Sequence, residues 1–211
     1  MWAIVILALA GVEALGLAVP LLRQITGALA VAAFLYVPAR MLERRGQDVR
    51  DAGWRFDRLG ADAAWALGAC ALVLPLFTIA FWTLPSWLGG LPAAVRALIA
   101  PYAGVRGTLH VPVTLDFAGR VAGNGAVAFS EEFFYRGYMT TRFEERWGPA
   151  SSALAAAGLF AIGHLIEPAP WRVMVFFPAL LFAFLRNRTR TIVGASIAHW
   201  LCNVWLLLLE A

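Results

Sequence analysis

Residues 63–88 read AAWALGACALVLPLFTIAFWTLPSWL, a run without a single Asp, Glu, Lys or Arg. A stretch of about 18 or more apolar residues is long enough to cross the hydrocarbon core of a bilayer as an α-helix. Working outward from it, further apolar runs occur near 2–22, 25–41, 119–142, 149–167, 171–186 and 190–209. Backbone polar groups cannot be left unpaired in hydrocarbon, so such runs are expected to be helical. The sequence therefore predicts an all-α, polytopic transmembrane bundle of about seven spans, with residues 1–211 forming a single transmembrane domain.

Composition agrees with that reading. Hydrophobic residues make up 61% of the 211 and charged residues 14%, against about 25% charged in soluble domains. Mean hydropathy is +0.73. The net charge of +4 comes from 17 basic residues, all arginine, which gather in the short connections between apolar runs. Six of them, Arg40, Arg44, Arg45, Arg50, Arg55 and Arg58, border or occupy the polar stretch from Leu42 to Asp62. Arg142 with Arg146, and Arg186 with Arg188 and Arg190, mark two more connections. That pattern belongs to membrane topology rather than to nucleic-acid binding. If seven spans alternate, all three connections fall on one side, and the positive-inside rule places the N-terminus in the cytoplasm and the C-terminus outside. The stretch from Gly89 to Asp116 is then an external loop, with His110 solvated within it. No basic residue precedes Arg23, so the first run reads as a retained helix and not a cleaved signal. Cys70 and Cys202 each lie within an apolar run and read as small buried hydrophobes.

An ionised group at the bilayer centre costs about 2.5–3.5 kcal/mol on insertion scales, so each one needs a partner or a function. Residues 119–147 read GRVAGNGAVAFSEEFFYRGYMTTRFEERW, with Glu131 and Glu132 midway between Arg120 and Arg142. Glu132 and Arg136 stand at i and i+4, the favourable order for an ion pair. Glu131, turned about 100° from its neighbour on a helix, is left to face elsewhere. In FAIGHL, Phe160 and His164 lie one turn apart. In SIAHWLCNVW, His199 and Asn203 again stand at i and i+4 and project from one face. Glu13, inside the first run, reads as a structural, hydrogen-bonded acid.

One free carboxylate, two imidazoles and a carboxamide are enough to surround a water and a carbonyl. A carboxylate in a low-dielectric site can act as general base toward water while a neutral imidazole holds that water. Another imidazole and an amide can donate to the oxyanion formed when water attacks a peptide carbonyl. Two further readings use the same residues. Two histidines and an acid could ligate zinc with one position open for water. A non-catalytic membrane binding, immunity or transport protein could line a polar path with them, although no inverted repeat is visible to support transport.

The run SEEFFYRG, followed by FAIGH and then HWLCN, resembles the three-motif signature of the CPBP intramembrane protease family, which includes the type II CAAX prenyl endopeptidases. The resemblance covers residues 119–205, the expected catalytic core. It implies an intramembrane endopeptidase of the glutamic type with no cofactor. In it Glu131 activates water with His164, His199 and Asn203 stabilise the oxyanion, and Glu132, Arg136 and Phe160 support the site. The implied partners are the lipid bilayer and a membrane-protein or lipid-anchored peptide substrate, with no nucleic acid. The all-arginine, alanine-rich composition suggests a GC-rich bacterial genome, hence the bacterial inner membrane and a myxosortase-like role on C-terminal anchors rather than on prenylated proteins.

Overall fold

A computed structural model describes residues 1–17, 19–99, 111–166 and 169–210, and within these all regular structure is helical. The helices are α1 (Trp2–Gly16), α2 (Pro20–Glu43), α3 (Leu59–Trp87), α4 (Ala93–Ile99), α5 (Leu115–Glu132), α6 (Thr140–Glu144), α7 (Pro149–Gly163), α8 (Phe176–Thr189) and α9 (Val193–Glu210). Each of the seven apolar runs overlaps at least one helix, although 119–142 is divided among α5, the π-helical stretch Phe133–Met139 and α6, and 171–186 begins in a 3-10 turn. Three helical stretches, Ile25–Glu43, Leu59–Ala80 and Pro149–Ile166, are long and apolar enough to cross a membrane by length and composition. Trp2–Gly16 and Val193–Leu209 are shorter apolar helices.

Several boundaries move for local reasons. α1 stops at Gly16 rather than near 22, because Pro20 starts a new helix at its first position, where the missing N–H costs nothing. α8 begins at Phe176, since residues Pro170–Val175 form a 3-10 turn. The stretch expected as an external loop holds the 3-10 turn Leu88–Gly90 and α4, and α5 starts at Leu115 behind a Thr114 cap. His110 lies outside the described residues.

Large apolar side chains on α1 and α3, among them Ile4, Leu7, Leu72, Leu76, Ile79 and Trp82, point outward. In water that surface would be a liability, whereas against lipid tails it is the expected exterior. The interior is built around the segment Phe133–Met139, a π-helical stretch that joins α5 to α6 and whose residues are all buried. Phe34 packs on Phe134 at 4.8 Å, Trp54 on Phe133 at 4.9 Å, and Tyr135 on Phe160 at 5.1 Å. α3 and α9 meet through Ala66, Cys70, Ala195 and Ala198, small residues that let two membrane helices approach closely.

The three arginine-rich connections converge at one end of the bundle. Arg186 reaches Glu144 at 2.5 Å and Thr141 at 3.0 Å, and Arg190 lies 3.6 Å from the same carboxylate. Arg45 faces Glu145 at 3.5 Å, and the Ile192 amide donates to Gly53 at 3.0 Å. Gly137 fixes the close approach of this layer to the π segment, since a Cβ there would sit 2.8 Å from the Ala52 carbonyl.

Two outcomes follow. Topology reporters fused at residues 50 and 188 should report the same compartment, and opposite signals would contradict the shared end. Gly137→Ala should cost about 1–3 kcal/mol through overpacking. Gly158→Ala, where the added carbon meets nothing within 4 Å, should keep or raise the melting temperature, so thermal unfolding of both variants in detergent checks the packing.

Candidate active site

Glu131 and Glu132 end α5 at the point where the backbone passes into the π segment. Such segments recur at functional sites because they change the angular spacing of side chains along a helix. Here the two carboxylates separate. Glu132 is fully buried and its Oε1 accepts from Arg136 Nη1 at 3.0 Å, the pair expected from the i, i+4 spacing. Glu131, with 14% of its side chain exposed, lines an open cavity.

Glu132 has a second bond that the local sequence does not announce. Its Oε1 also accepts from Nδ1 of His199 at 2.9 Å, linking α5 to α9. A carboxylate bound to Arg136 acts as acceptor, so Nδ1 carries the hydrogen and Nε2 is presented on the far side of the ring. There it meets Glu131 Oε2 at 3.6 Å, too long for a direct hydrogen bond. The His199 ring is stacked on Phe182 at 4.6 Å and 16° and is met edge-on by Phe160 at 5.8 Å. One imidazole therefore lies between the two glutamates, held flat by an aromatic face.

Arg136 is fully enclosed. Its Nη2 donates to the Ala179 carbonyl of α8 at 3.1 Å, and its guanidinium carbon lies 4.5 Å above Phe160 and 5.4 Å from Phe182. Phe160 thus supports three members of the site at once, because the His164 ring is also in contact with it, at 4.4 Å. Nδ1 of His164 lies 2.9 Å from the Phe160 carbonyl. A carbonyl only accepts, so Nδ1 is the donor and Nε2 of the neutral ring keeps its lone pair. α7 ends at Gly163, and His164 opens the 3-10 turn that follows, which carries its ring to the cavity. Gly163 is required there, since a Cβ would meet the Tyr135 hydroxyl at 2.8 Å.

The cavity measures about 390 Å³. It is lined by Ser130, Glu131 and Tyr135, by His164, and by residues of α1 and α2. Glu13, read from sequence as a structural acid, and Arg172, which nothing in the sequence singled out, both line this same cavity. The clue to Glu13 was its position inside an apolar run; Arg172 offered none. Asn203 lies one turn beyond His199 on α9 and is half-buried. It is not among the cavity-lining residues and makes no side-chain hydrogen bond among the described residues. Glu131, His164 and His199 are brought together; Asn203 is not joined to them by a contact.

A resident metal ion requires three or more ligands converging on one point. Among the described residues no three His, Cys, Asp or Glu side chains are grouped in that way.

Residues 115–205 match the family model described as Type II CAAX prenyl endopeptidase Rce1-like. No curated protein and no solved structure matches the chain. The matched segment contains every residue from Glu131 to Asn203 named above and stops short of α1 to α4.

Removing the Arg136 guanidinium would leave Glu132 buried with only His199 beside it. Breaking a buried pair on one side costs about 3–5 kcal/mol, so Arg136→Ala should lower the melting temperature and the yield of folded protein sharply. An unchanged melting curve in detergent would show that the pair does not stabilise the bundle.

Proposed function

We propose, from the match of residues 115–205 to the family model described as Type II CAAX prenyl endopeptidase Rce1-like, that this protein cleaves a peptide bond of a membrane-associated polypeptide by a glutamate-activated water. The observation that carries the reading is the pairing, in one cavity, of the Glu131 carboxylate with a His164 ring whose Nδ1 is tied to a backbone carbonyl. Both groups then accept hydrogen bonds, which suits them to hold one water by its two hydrogens.

Glu131 takes one proton as the water oxygen attacks the scissile carbonyl carbon, and a C–O bond forms while the carbonyl becomes an oxyanion. His199 and Asn203 are assigned to that oxyanion. Because the Nδ1–H of His199 is engaged by Glu132, the ring donates toward the oxyanion only when Nε2 also carries a proton. The carboxylates on its two sides, Glu132 at 2.9 Å and Glu131 at 3.6 Å, balance the charge of that doubly protonated form. Collapse of the intermediate breaks the C–N bond, and the proton held on Glu131 passes to the leaving amine. Asn203, an amide without an internal partner on the same face of α9, completes the donor set when substrate is present.

The cavity volume bears on the substrate. One turn of α-helix with its side chains occupies roughly 400 Å³, from a diameter near 10 Å and a pitch of about 5.4 Å. A cavity of about 390 Å³ therefore suits a short segment of about one turn rather than the whole length of a membrane helix. The protein is assigned to the cytoplasmic membrane of a bacterium, with the arginine-rich end facing the cytoplasm, and its substrate is a membrane protein or a lipid-anchored peptide.

Glu131→Gln should abolish cleavage while preserving the folded protein, since the amide keeps the shape but cannot accept the proton. His164→Ala should behave alike. Asn203→Ala should retain a residual rate, a loss of about 10²–10³-fold being typical for one oxyanion donor. Single-turnover cleavage of a membrane substrate in liposomes reads all three. Full activity in Glu131→Gln would overturn the glutamate mechanism, and activity lost on chelation and restored by zinc would replace it with a metal-dependent one.

A further inference from the structure

Part of the lining of the cavity that holds Glu131 and His164 is supplied by a part of the chain outside the family-matched segment. On α2, Thr26, Gly27, Ala30, Val31 and Phe34 line the cavity, the last four at the i, i+3, i+4, i+7 spacing of a single helix face. Ile6 and Leu9 of α1 extend the same apolar surface. The reacting groups and this part of the lining therefore come from different halves of the protein.

Gly27 is the position in this wall that packing does not explain. A Cβ built on it meets nothing within 4 Å, and its backbone is not in the left-handed region. It lies inside α2, where glycine is a poorer helix former than alanine. Gly137 and Gly163 differ, because a Cβ at either would approach a neighbouring atom to 2.8 Å. Those two glycines are required by the fold. At Gly27 the unoccupied space belongs to the cavity.

We propose that Gly27 is a specificity-determining residue. With Ala30 it opens an apolar subsite for one bulky apolar side chain of the substrate, next to the bond addressed by Glu131 and His164. The chemistry of the nearby lining selects this occupant, since Ile6, Leu9, Val31 and Phe34 offer no hydrogen-bond partners and the hydroxyl of Thr26, the polar neighbour on α2, already donates to the Leu22 carbonyl at 2.9 Å, so a polar side chain placed there would be poorly compensated for its desolvation. The inference rests on the peptide-hydrolase reading, yet it concerns which residue is accepted and not how water is activated.

The test uses purified full-length protein in liposomes with a library of membrane-anchored synthetic peptides randomised at four consecutive positions, the products being read by mass spectrometry. The native protein should accept Leu, Phe or Trp at one position relative to the cut. Gly27→Leu should lose those peptides by about tenfold or more, the scale on which a hydrophobic pocket discriminates, while cleaving peptides with Gly or Ala there within about twofold of the native rate. Its melting temperature should be unchanged because the space is open. Gly11→Leu, on α1 and away from the cavity lining, should leave the profile as it is. A Gly27→Leu profile identical to the native one overturns the proposal, as does an equal loss on all peptides.

A second readout needs no catalysis. Gly27→Cys, with both native cysteines replaced by alanine and Glu131→Gln added, should react with a small water-soluble methanethiosulfonate. A library peptide with a bulky apolar residue should slow that reaction, and its Ala counterpart should not. No labelling, or labelling that neither peptide slows, also overturns the proposal. Cleavage persisting in Glu131→Gln would remove the glutamate mechanism and leave the Gly27 selectivity standing on its own result.

Discussion

The site depends on one carboxylate oxygen. Oε1 of Glu132 accepts from Arg136 at 3.0 Å and from His199 at 2.9 Å, and the same guanidinium reaches the Ala179 carbonyl at 3.1 Å. Three helical segments, the α5 to π junction, α8 and α9, are thereby fastened through groups that hydrocarbon cannot solvate. A buried ion pair is often no more stable than an apolar replacement, because desolvation offsets the attraction. Its value here lies in geometry. Glu132 sets which nitrogen of His199 carries the fixed hydrogen, and so sets what the ring presents to Glu131.

The aromatic residues make that arrangement affordable in a membrane interior. Phe160 lies under Arg136, beside His164 and edge-on to His199, and Phe182 stacks on His199. Ring faces attract the guanidinium electrostatically without adding further polar atoms that would need partners. The π segment adds the other condition. By widening the helical turn just after Glu131 and Glu132, it lets seven consecutive residues be buried while the adjacent Glu131 remains at the edge of the cavity.

The fold was largely legible because a membrane leaves few choices. An apolar run that must satisfy its own backbone becomes a helix, so the all-helical class and the long helix over residues 63–88 could be read directly, and the ion pair followed from the spacing of Glu132 and Arg136. What escaped reading depends on contacts distant in sequence or on backbone detail. Nothing local in SEEFFYRG signals a π turn, and the bond between Glu132 and His199 spans 67 positions. Glu13 stood out as an acid inside an apolar run, but its place in the cavity required knowing that α1 packs on α2 and on the 3-10 turn that carries His164. Arg172 follows Pro170 and Trp171 in a turn with no periodic pattern. Asn203 shows the opposite limit, since an i, i+4 spacing places two side chains on one face and says nothing about where that face is aimed.

His199 connects these constraints to the chemistry. Two acids adjacent in sequence would repel if they shared one space, but the helix turns them apart and the imidazole stands between, with Glu132 on Nδ1 and Glu131 near Nε2. Glu132 is compensated by Arg136 and has no access to the cavity, so it holds the ring. Glu131 instead opens onto the cavity, which Arg172 also lines. The same residue type thus stands in two settings, since Glu132 is sealed with Arg136 while Glu131 borders the cavity, 3.6 Å from Nε2 of the imidazole that lies between them.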